Sequence, residues 1–336
     1  MEKFGLGLVV GKFSPPHRGH KHLIDTALAA SKRVIVLVTD TPGPHLPVEL
    51  RARWVREIHP AAEVRVIADI CKDNDSKAWG AYTVGLLGRA PDAVFSSEAY
   101  GPPYAAAMGC THVAVDPPRH TFPVSGTLVR QDPFAQWNYL EPCVRAHFVK
   151  RVALIGAESS GTTTLARALA ERYRTVWAPE YGRFYADGKY ASGRPEWSSD
   201  EFTHIAEQQL RLMDSLARVA SRVLFTDTDP FATAIWHERY LGTPSPTVQA
   251  LAAAHRPHLY LLTGDEIPFE TDPLRDGEHL RHWMHGRFEE ELRSAGVPHA
   301  VLRGPHEKRI AEATALIDRL FSENPAVARQ KEKILN

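Results

Sequence analysis

Residues 156–165, GAESSGTTTL, have the glycine spacing of a phosphate-binding loop but lack its usual lysine. That loop reads Gly, four residues, Gly, Lys and then Ser or Thr. Here Thr162 stands at the lysine position, and Thr163 stands where a hydroxyl binds magnesium. Main-chain N–H groups of such a turn bind phosphate whatever the side chains are, so we expect a nucleotide site whose cation comes from elsewhere or is missing. The residues expected to contact the nucleotide are Gly156, Glu158, Ser159, Ser160, Gly161, Thr162, Thr163 and Thr164.

A second stretch suited to phosphate, GKFSPPHRGH at residues 11–20, follows the first apolar run of the chain. Gly11 allows a sharp turn and a close approach of the nucleotide to the backbone. His17 and His20 are three residues apart at a predicted helix start, where imidazoles and unpaired N–H groups can donate to phosphate oxygens. Gly19 is expected to leave room for a base or ribose. The predicted contacts of this stretch are Gly11, Lys12, Phe13, His17, Gly19 and His20, with Lys12 and the two histidines in catalytic roles.

The spacing G-x-F-x-P-x-H-x-G-H resembles that of the nucleotidyltransferases with an HxGH signature. A further segment, VSGTLVR at residues 124–130, is similar to the ISxTxxR segment that closes over the ATP phosphates in that superfamily. Ser125 and Thr127 offer hydroxyls at a predicted helix start, and Arg130 offers a guanidinium to the triphosphate. The following DPFAQWNYL, residues 132–140, resembles the nicotinamide-mononucleotide (NMN) adenylyltransferase half of NadR-type bifunctional proteins.

This resemblance implies that the first half joins NMN to the AMP part of ATP, giving NAD and pyrophosphate. The NMN phosphate itself attacks the α-phosphorus, so catalysis needs positioning and charge stabilisation and no nucleophilic side chain. The nicotinamide end is expected near residues 69–82, where Trp79 either stacks on the ring or fills the core. Ser97 and Glu98 are carried over as nucleotide contacts. The groups expected to act on the phosphates are those of His17, His20, Lys12 and Arg130, with Mg²⁺ bridging the phosphates.

Three segments after the phosphate-binding loop resemble the ribosylnicotinamide kinase half of the same family. They are EYGR at 180–183, TDTDPFATA at 226–234 and TDPLRDGEHLRHWMHGRF at 271–288. The resemblance implies a nucleoside pocket at the first segment, an acidic motif in the second and an arginine-bearing lid over ATP in the third. We assign Asp227, with Thr163, to the metal and Asp229 to the substrate. The other expected site residues are Glu180, Tyr181 and Arg183 at the nucleoside, and Arg275, Arg281 and Arg287 as candidate cations, of which Arg275 is assigned a catalytic role.

Two interpretations of the second half stay open. In the first, nicotinamide riboside is phosphorylated to NMN, and an arginine of the lid or Arg183 replaces the loop lysine. In the second, loss of a charge-assisted contact worth about 1.5–3 kcal/mol leaves a domain that binds ATP but is a weak or inactive kinase. A transferase for another phosphate is disfavoured by the kinase-like segments. A DNA-binding regulator is also disfavoured, because the first strand is expected at residue 6, which leaves no room for a helix-turn-helix.

The elements that would position these residues alternate along the whole chain as apolar strands and amphipathic helices. Strands are predicted at 6–11, 33–39, 63–67, 93–96 and 112–115, and again at 151–156, 222–226, 258–262 and 299–302. Helices are predicted at 19–31, 47–58, 162–173, 199–220 and 308–321. This rhythm is typical of parallel sheets with helices on both faces. We predict two α/β domains, a Rossmann-like nucleotidyltransferase domain over 1–148 and a P-loop kinase domain over 149–325, followed by a tail over 326–336.

The composition bounds the partners and the compartment of the chain. Lys plus Arg and Asp plus Glu both number 40 in 336 residues, so the formal charge is zero, which disfavours a nucleic-acid partner. Cys71, Cys110 and Cys143 form no CxxC pair and predict neither a disulfide framework nor a cysteine-rich zinc site. No apolar stretch is long enough to span a bilayer, and we expect a cytoplasmic enzyme. The expected ligands are ATP, NMN, nicotinamide riboside and NAD, with Mg²⁺, and a homo-oligomer is compatible with the resemblance.

Overall fold

The computed structural model describes residues 3–43, 45–72, 75–194, 196–270 and 277–322. The chain divides into two compact units, with the division between Val144 and Arg145. The described residues of each unit form a sheet of five parallel strands, in agreement with the predicted fold class. Among these residues, no helix combines the length and the apolar character that crossing a bilayer would take. The predicted tail, 326–336, lies outside the described residues.

The strands of the first unit are β1 (Phe4–Gly11), β2 (Ser31–Asp40), β3 (Glu63–Ala68), β4 (Ala93–Ser96) and β5 (Thr111–Ala114). Its helices are α1 (Arg18–Ala30), α2 (Val48–Ile58), α3 (Ser76–Leu87), α4 (Gly101–Met108) and α5 (Gly126–Gln131), and α6 (Pro142–Phe148) crosses the division between the units. The strand order is β3-β2-β1-β4-β5, so the winding direction reverses between β1 and β4. Ligands of open parallel sheets bind outside the carboxyl ends of the strands at such a reversal.

The central strands of this sheet are apolar because helices cover both faces. Leu8 and Val9 of β1 point to opposite faces, and neither is exposed to solvent. Helix α1 packs on the face of Val9 through Leu23, Ile24 and Ala27, which recur at the spacing of one helix face. This packing holds the N-terminus of α1 at the carboxyl end of β1.

The strands of the second unit are β6 (Lys150–Ile155), β7 (Trp177–Ala178), β8 (Val223–Asp227), β9 (Leu259–Thr263) and β10 (His299–Leu302). Its helices are α7 (Thr162–Arg172), α8 (Tyr181–Ala191), α9 (Ser199–Ala217), α10 (Pro230–Leu241), α11 (Pro246–Ala254), α12 (Arg281–Ala295) and α13 (His306–Ser322). The strand order is β10-β9-β6-β8-β7. The central strand β6 therefore enters the phosphate-binding loop with the ends of β8 and β9 on either side.

The nine strands given bounds from the sequence agree with the structure to within two residues at each end. The helix predicted at 199–220 ends earlier, at Ala217, because the chain turns through Arg222, with φ +72°, into β8. Helices α3, α4, α8, α10, α11 and α12 were not predicted, since their apolar residues do not follow a single clear stripe.

Candidate active sites at two strand–helix junctions

A cavity of 570 Å³ opens at the carboxyl end of β1, next to the start of α1. Its wall brings together segments that lie more than a hundred residues apart in sequence, from β1 to α5. Every residue predicted for the first site lies on this wall, namely Gly11, Lys12, Phe13, His17, Gly19, His20, Trp79, Ser97, Glu98, Ser125, Thr127 and Arg130. The two motifs of the first half therefore form one site.

The two histidines stack at the N-terminus of α1. His17 is the N-cap residue, its Nδ1 accepts a hydrogen bond from the main-chain N–H of His20 at 3.4 Å, and the ring centroids are 3.8 Å apart. Burial, with the nearby Arg119 guanidinium, lowers the pKa of His17 to about 3. Burial, His17 and Arg119 also lower the pKa of His20. Both imidazoles are therefore neutral at pH 7, and His17 carries its proton on Nε2, where it can donate to a ligand.

Gly19 makes room for the His17 ring and also lines the cavity, so its place beside a base or ribose stays a prediction. A Cβ atom at this position would lie 3.1 Å from both Cε1 and Nδ1 of His17. At Gly11 a Cβ atom would lie 3.2 Å from the Phe13 ring, which is buried and packs against the edge of His20 at a centroid distance of 4.9 Å. The Phe13 side chain thus packs against the His20 ring and helps to hold it in place.

The segment 124–130 is tied directly to the first motif. Ser125 caps α5, accepting from the Leu128 N–H at 3.2 Å. Arg130 donates to the Ser14 carbonyl oxygen at 2.5 Å and to the Thr127 hydroxyl at 3.2 Å. These contacts hold a guanidinium at the edge of the cavity, in agreement with a role at the phosphates.

Sequence reasoning missed two arginines of the first site. Arg119 lies on the cavity wall and pairs with Glu98 at 2.5 Å. Arg51 is buried beneath the turn after β1, where it donates to the carbonyl oxygens of Leu46 at 2.7 Å and Thr39 at 3.0 Å, and to that of Lys12. Neither arginine belongs to a spaced motif, so the sequence alone gives no signal for its position.

Trp79 combines the two roles that the sequence left open. Its ring packs partly against the core and meets Tyr82 edge-on at a centroid distance of 6.0 Å, yet it also lines the cavity. The hydroxyl of Ser97 donates to the Val115 carbonyl oxygen at 2.6 Å, which fixes the end of β4 beside the cavity. The cavity wall therefore includes the aromatic ring of Trp79 as well as cationic side chains such as Arg130.

A second cavity, of 500 Å³, lies at the end of β6. Predicted residues that line it are Gly156, Glu158, Ser159, Thr162, Thr163, Thr164, Glu180, Arg183 and Asp227. Predicted residues of the described ranges that do not line it are Ser160, Gly161, Tyr181, Asp229, Arg281 and Arg287. Arg275, the preferred cation of the lid, lies outside the described residues.

The phosphate-binding loop is formed without the lysine. Ser159 and Gly161 have φ of +56° and +87°, and Gly161 is the N-cap of α7. A Cβ atom on Gly156 would lie 2.3 Å from the Thr263 hydroxyl, so glycine is required there. The buried Ser160 hydroxyl donates to the Ala157 carbonyl oxygen at 2.7 Å. It also lies 2.6 Å from the Thr263 hydroxyl. The Ser160 side chain thus stabilises the loop from inside, and the predicted nucleotide contact of Ser160 would have to come from its main chain.

Thr163 and Asp227 meet at the open side of this loop. The Thr163 hydroxyl donates to Oδ2 of Asp227, which is 3% exposed at the end of β8. Burial raises the pKa of Asp227, and the Thr163 and Thr162 hydroxyls and the Arg167 guanidinium oppose this shift. Mg²⁺ in nucleotide sites takes one or two carboxylates together with substrate phosphates. The hydroxyl and the carboxylate therefore fit the donor set of that metal.

Asp229 faces away from the second cavity, although it lies only two residues after Asp227. Its carboxylate caps α10, accepting from the Ala232 N–H at 3.1 Å and the Tyr260 hydroxyl at 3.0 Å. Burial raises its pKa to about 6. These contacts give Asp229 a structural position and do not support the predicted contact with substrate.

The lid segment reaches the loop through Glu158. One carboxylate oxygen of Glu158 pairs with Arg239 at 2.5 Å, and the other accepts from the Gly277 N–H at 2.9 Å. This carboxylate is therefore bound to protein groups at the cavity wall, and its contact with the nucleotide stays a prediction. Of the lid arginines, Arg281 donates to two main-chain carbonyl oxygens at 2.9 and 3.4 Å. Arg287 is also turned away, since it pairs with three glutamates on the helix surface.

The EYGR segment contributes Glu180, Gly182 and Arg183 to the wall of the second cavity. Glu180, just before α8, and Arg183 line it, whereas Tyr181 turns outward, and its N–H donates to the Gln209 side chain at 2.8 Å. Residues of the wall that the sequence did not indicate include Arg167 and the aromatic set Trp177, Trp197, Phe202, Trp236 and Tyr240. The aromatic residues come from three separate elements and the loop before α9, so no local spacing reveals them.

Comparison with known proteins agrees with this two-site arrangement. The family model of cytidylyltransferase-like domains matches residues 8–132, and that of AAA domains matches residues 151–309. The trifunctional NAD biosynthesis/regulator protein NadR of Escherichia coli K12 is 30% identical over 296 residues, which are 82% of this chain and 72% of that protein. The chain belongs to the NadR family. The NadR protein of Salmonella typhimurium LT2 is likewise 30% identical, over 80% of this chain and 71% of its own length.

Solved structures of NadR proteins have the same fold. One in complex with NAD and AMP-PNP superposes with a TM-score of 0.73 at 21% identity, covering 96% of this chain and 97% of that one. One in complex with NR has a TM-score of 0.73 at 23% identity and covers 90% of each chain. Family membership confirms the predicted NadR-type resemblance and the prediction of a NAD-biosynthesis enzyme built from a nucleotidyltransferase-like and a P-loop domain.

Proposed function

We propose that this chain makes NAD from nicotinamide riboside in two ATP-dependent steps, one in each unit. The second unit phosphorylates the riboside to NMN, and the first unit transfers AMP to NMN. The observation that carries the proposal is that each unit of a NadR-family chain has a phosphate-suited cavity where its central strand gives way to a helix. ATP, NMN, nicotinamide riboside and NAD are the corresponding ligands.

In the first unit, an oxygen of the NMN phosphate attacks the α-phosphorus of ATP. The new P–O bond forms and pyrophosphate leaves. The side chains of His17, His20, Lys12, Arg119 and Arg130 surround the space where this charge develops. Neutral imidazoles donate N–H groups, and the arginines offset the negative charge of the leaving group. No side chain becomes covalently attached.

In the second unit, the riboside 5′-hydroxyl attacks the γ-phosphorus, its proton passes to the Glu180 carboxylate, and ADP leaves. The loop N–H groups hold the phosphates. Thr163 and Asp227 would hold Mg²⁺, which would neutralise phosphate charge when bound with ATP. The alternative is a second unit that binds ATP without transferring phosphate, because Thr162 replaces the lysine.

Product analysis separates these functions. With NMN and ATP the chain should form NAD and pyrophosphate, and with nicotinamide riboside and ATP it should form NMN, ADP and then NAD. A His17→Ala variant should lose at least about 100-fold of the AMP-transfer rate while keeping NMN formation. NAD from NMN without any NMN from the riboside would support the alternative, and absence of both products would refute the proposal.

Cys71, Cys110 and Cys143 form no disulfide, which supports a role in the reducing cytoplasm. The formal charge of zero favours small nucleotides over nucleic acid as partners, although the two bacterial relatives are named as regulators too. We propose an enzymatic role and no operator binding. A salt-dependent shift of promoter DNA by the purified chain would contradict this part.

A further inference from the structure

The phosphate-binding loop of the second cavity has no lysine, yet its main chain keeps the conformation that holds phosphate. We infer that Arg167, on the first helix after the loop, supplies the missing positive charge to the γ-phosphoryl group of ATP. This inference rests on the proposed kinase activity. It concerns a residue that no sequence motif of the chain includes.

The position of Arg167 on α7 places its charge beside the reacting groups. Thr163 and Arg167 are four residues apart, so they share one face of the helix. Side chains of a helix lean toward its N-terminus, so a long side chain at 167 extends back toward the loop. Its guanidinium carbon lies 5.1 Å from the ring centroid of Trp177 at the end of β7, and its charge acts on Asp227 at the end of the neighbouring β8.

Most other arginines near the loop are held by protein groups. Arg239 pairs with Glu158 at 2.5 Å, and Arg309 donates to a loop carbonyl oxygen at 2.7 Å from behind the loop. Arg281 is 9% exposed, and its guanidinium donates to a main-chain carbonyl oxygen at 2.9 Å. Among the arginines of the described ranges, Arg167 and Arg183 line the cavity. Arg183 comes from α8 on the nucleoside side, which makes it the competing candidate.

The chemistry of phosphoryl transfer suits an arginine at this place. Negative charge is spread over the three equatorial oxygens of the transferred group, and a guanidinium can contact two of them at once. Thr162 has a short side chain whose hydroxyl bonds to Asp227, so the space that a lysine chain would take above the loop is left for the guanidinium. Arg167 forms no covalent bond in the step and transfers no proton.

The test compares Arg167→Gln with the matched control Arg172→Gln, which changes an exposed arginine at the end of the same helix. The rate constant kcat for NMN formation should fall at least about 100-fold in Arg167→Gln, with a smaller change in KM for the riboside. The rate of the control should stay within about threefold of the parent, because substitutions at exposed positions usually have small effects. Far-UV circular dichroism and urea unfolding of each chain report whether the second unit is folded, and AMP transfer by the first unit should not change.

Rescue distinguishes a phosphate contact from a structural role. Thr162→Lys introduced into the Arg167→Gln chain should recover at least about tenfold of the lost rate, because the lysine restores a cation at the γ-phosphate. A retained rate in Arg167→Gln, or an equal loss in Arg183→Gln that Thr162→Lys rescues instead, would overturn the inference.

Binding provides a readout that does not depend on turnover. With the first site filled by saturating NAD, calorimetry should show that Arg167→Gln weakens ATP at least tenfold and ADP less than threefold, since only ATP has the γ-phosphate. Equal effects on both nucleotides would overturn the inference. A parent chain that binds ATP with this Arg167 dependence but makes no NMN would refute the kinase function and leave the contact intact.

Discussion

Two stacked histidines at the start of α1 are neutral in the ligand-free protein because they are removed from water. A neutral imidazole donates one N–H to a phosphate oxygen and adds no charge to a site that already holds Lys12, Arg119 and Arg130. The same burial has a cost at low pH. The folded chain must either take a proton into this site or unfold.

The stability of the first unit should therefore fall as the pH falls below 6.5. The pKa of His17 is lowered from 6.5 to about 3, so the unfolded chain binds the proton first, and stability present above pH 6.5 is lost on acidification. Between pH 7.5 and 5, His17 alone should account for about 2 kcal/mol of lost unfolding free energy. Urea unfolding of the ligand-free chain should show this loss, and His17→Gln should reduce it.

His120→Gln, a change at an exposed histidine of the same unit, is the control for this prediction and should keep the parental pH dependence. If His17→Gln lost as much stability on acidification as the parent, the imidazole would not be the group that titrates. His20 has its pKa lowered as well, so the double variant should be the least sensitive of all.

The sequence predicted which residues lie at the sites where a motif joins a strand to a helix. It was less able to predict what each of these residues contacts. His17, His20 and Thr163 lie where their spacing indicated. Gly19 makes room for the His17 ring and the Ser160 hydroxyl bonds within the phosphate-binding loop, which spacing does not reveal. Arg119 and Arg167 reach their sites through tertiary packing, so only the fold brings them into view.

At the level of elements, the end of β8 sorts two similar carboxylates into different environments. Thr228, with φ +73°, turns the chain between them, so Asp227 faces the phosphate-binding loop and Asp229 points into the core as the cap of α10. The sequence TDTD does not distinguish the environments of the two aspartates. The turn between strand and helix decides which of the two aspartates faces the cavity.

Replacing each aspartate by asparagine should separate these roles. Asp227→Asn removes a charge at the expected metal position and should lower the rate of NMN formation at least about 100-fold. Asp229→Asn keeps an oxygen that accepts from the Ala232 N–H, so phosphoryl transfer should stay within a few-fold of the parent. Asp229→Ala should instead lower the unfolding free energy by about 1–2 kcal/mol through loss of the cap.

Steady-state kinetics with nicotinamide riboside and urea unfolding of the three variants make the comparison, and NAD formation from NMN should be unchanged because it depends on the first unit. A kinase loss in Asp229→Asn as large as that in Asp227→Asn would show that the buried carboxylate acts on substrate.

The strands themselves were the most predictable part of the second unit, because buried parallel strands read as continuous apolar runs. Helices α8 and α10 were not predicted, because their aromatic residues Phe184, Trp236 and Tyr240 face the cavity and follow no single stripe.

At the level of the whole molecule, each unit has its own sheet, its own core and its own nucleotide cavity. The chemistry connects them in one direction, since the product of the second unit is the substrate of the first. Each reaction can then be removed without the other. We expect the connection between them to be a free mononucleotide, which any first-unit cavity in solution can bind.

Two chains with complementary defects should therefore restore the full reaction when they are mixed. His17→Ala alone should convert nicotinamide riboside to NMN and stop there, and Asp227→Asn alone should convert NMN to NAD but leave the riboside unchanged. An equimolar mixture with riboside and ATP should form NAD after a lag in which free NMN accumulates, because the mononucleotide must diffuse from one chain to the other. Chromatography of timed samples follows all three compounds, and a mixture of His17→Ala with the double variant is the control. A mixture in which both half-reactions persist but no NAD forms would mean that NMN made in the second unit is not released, and the independence of the two sites would be wrong.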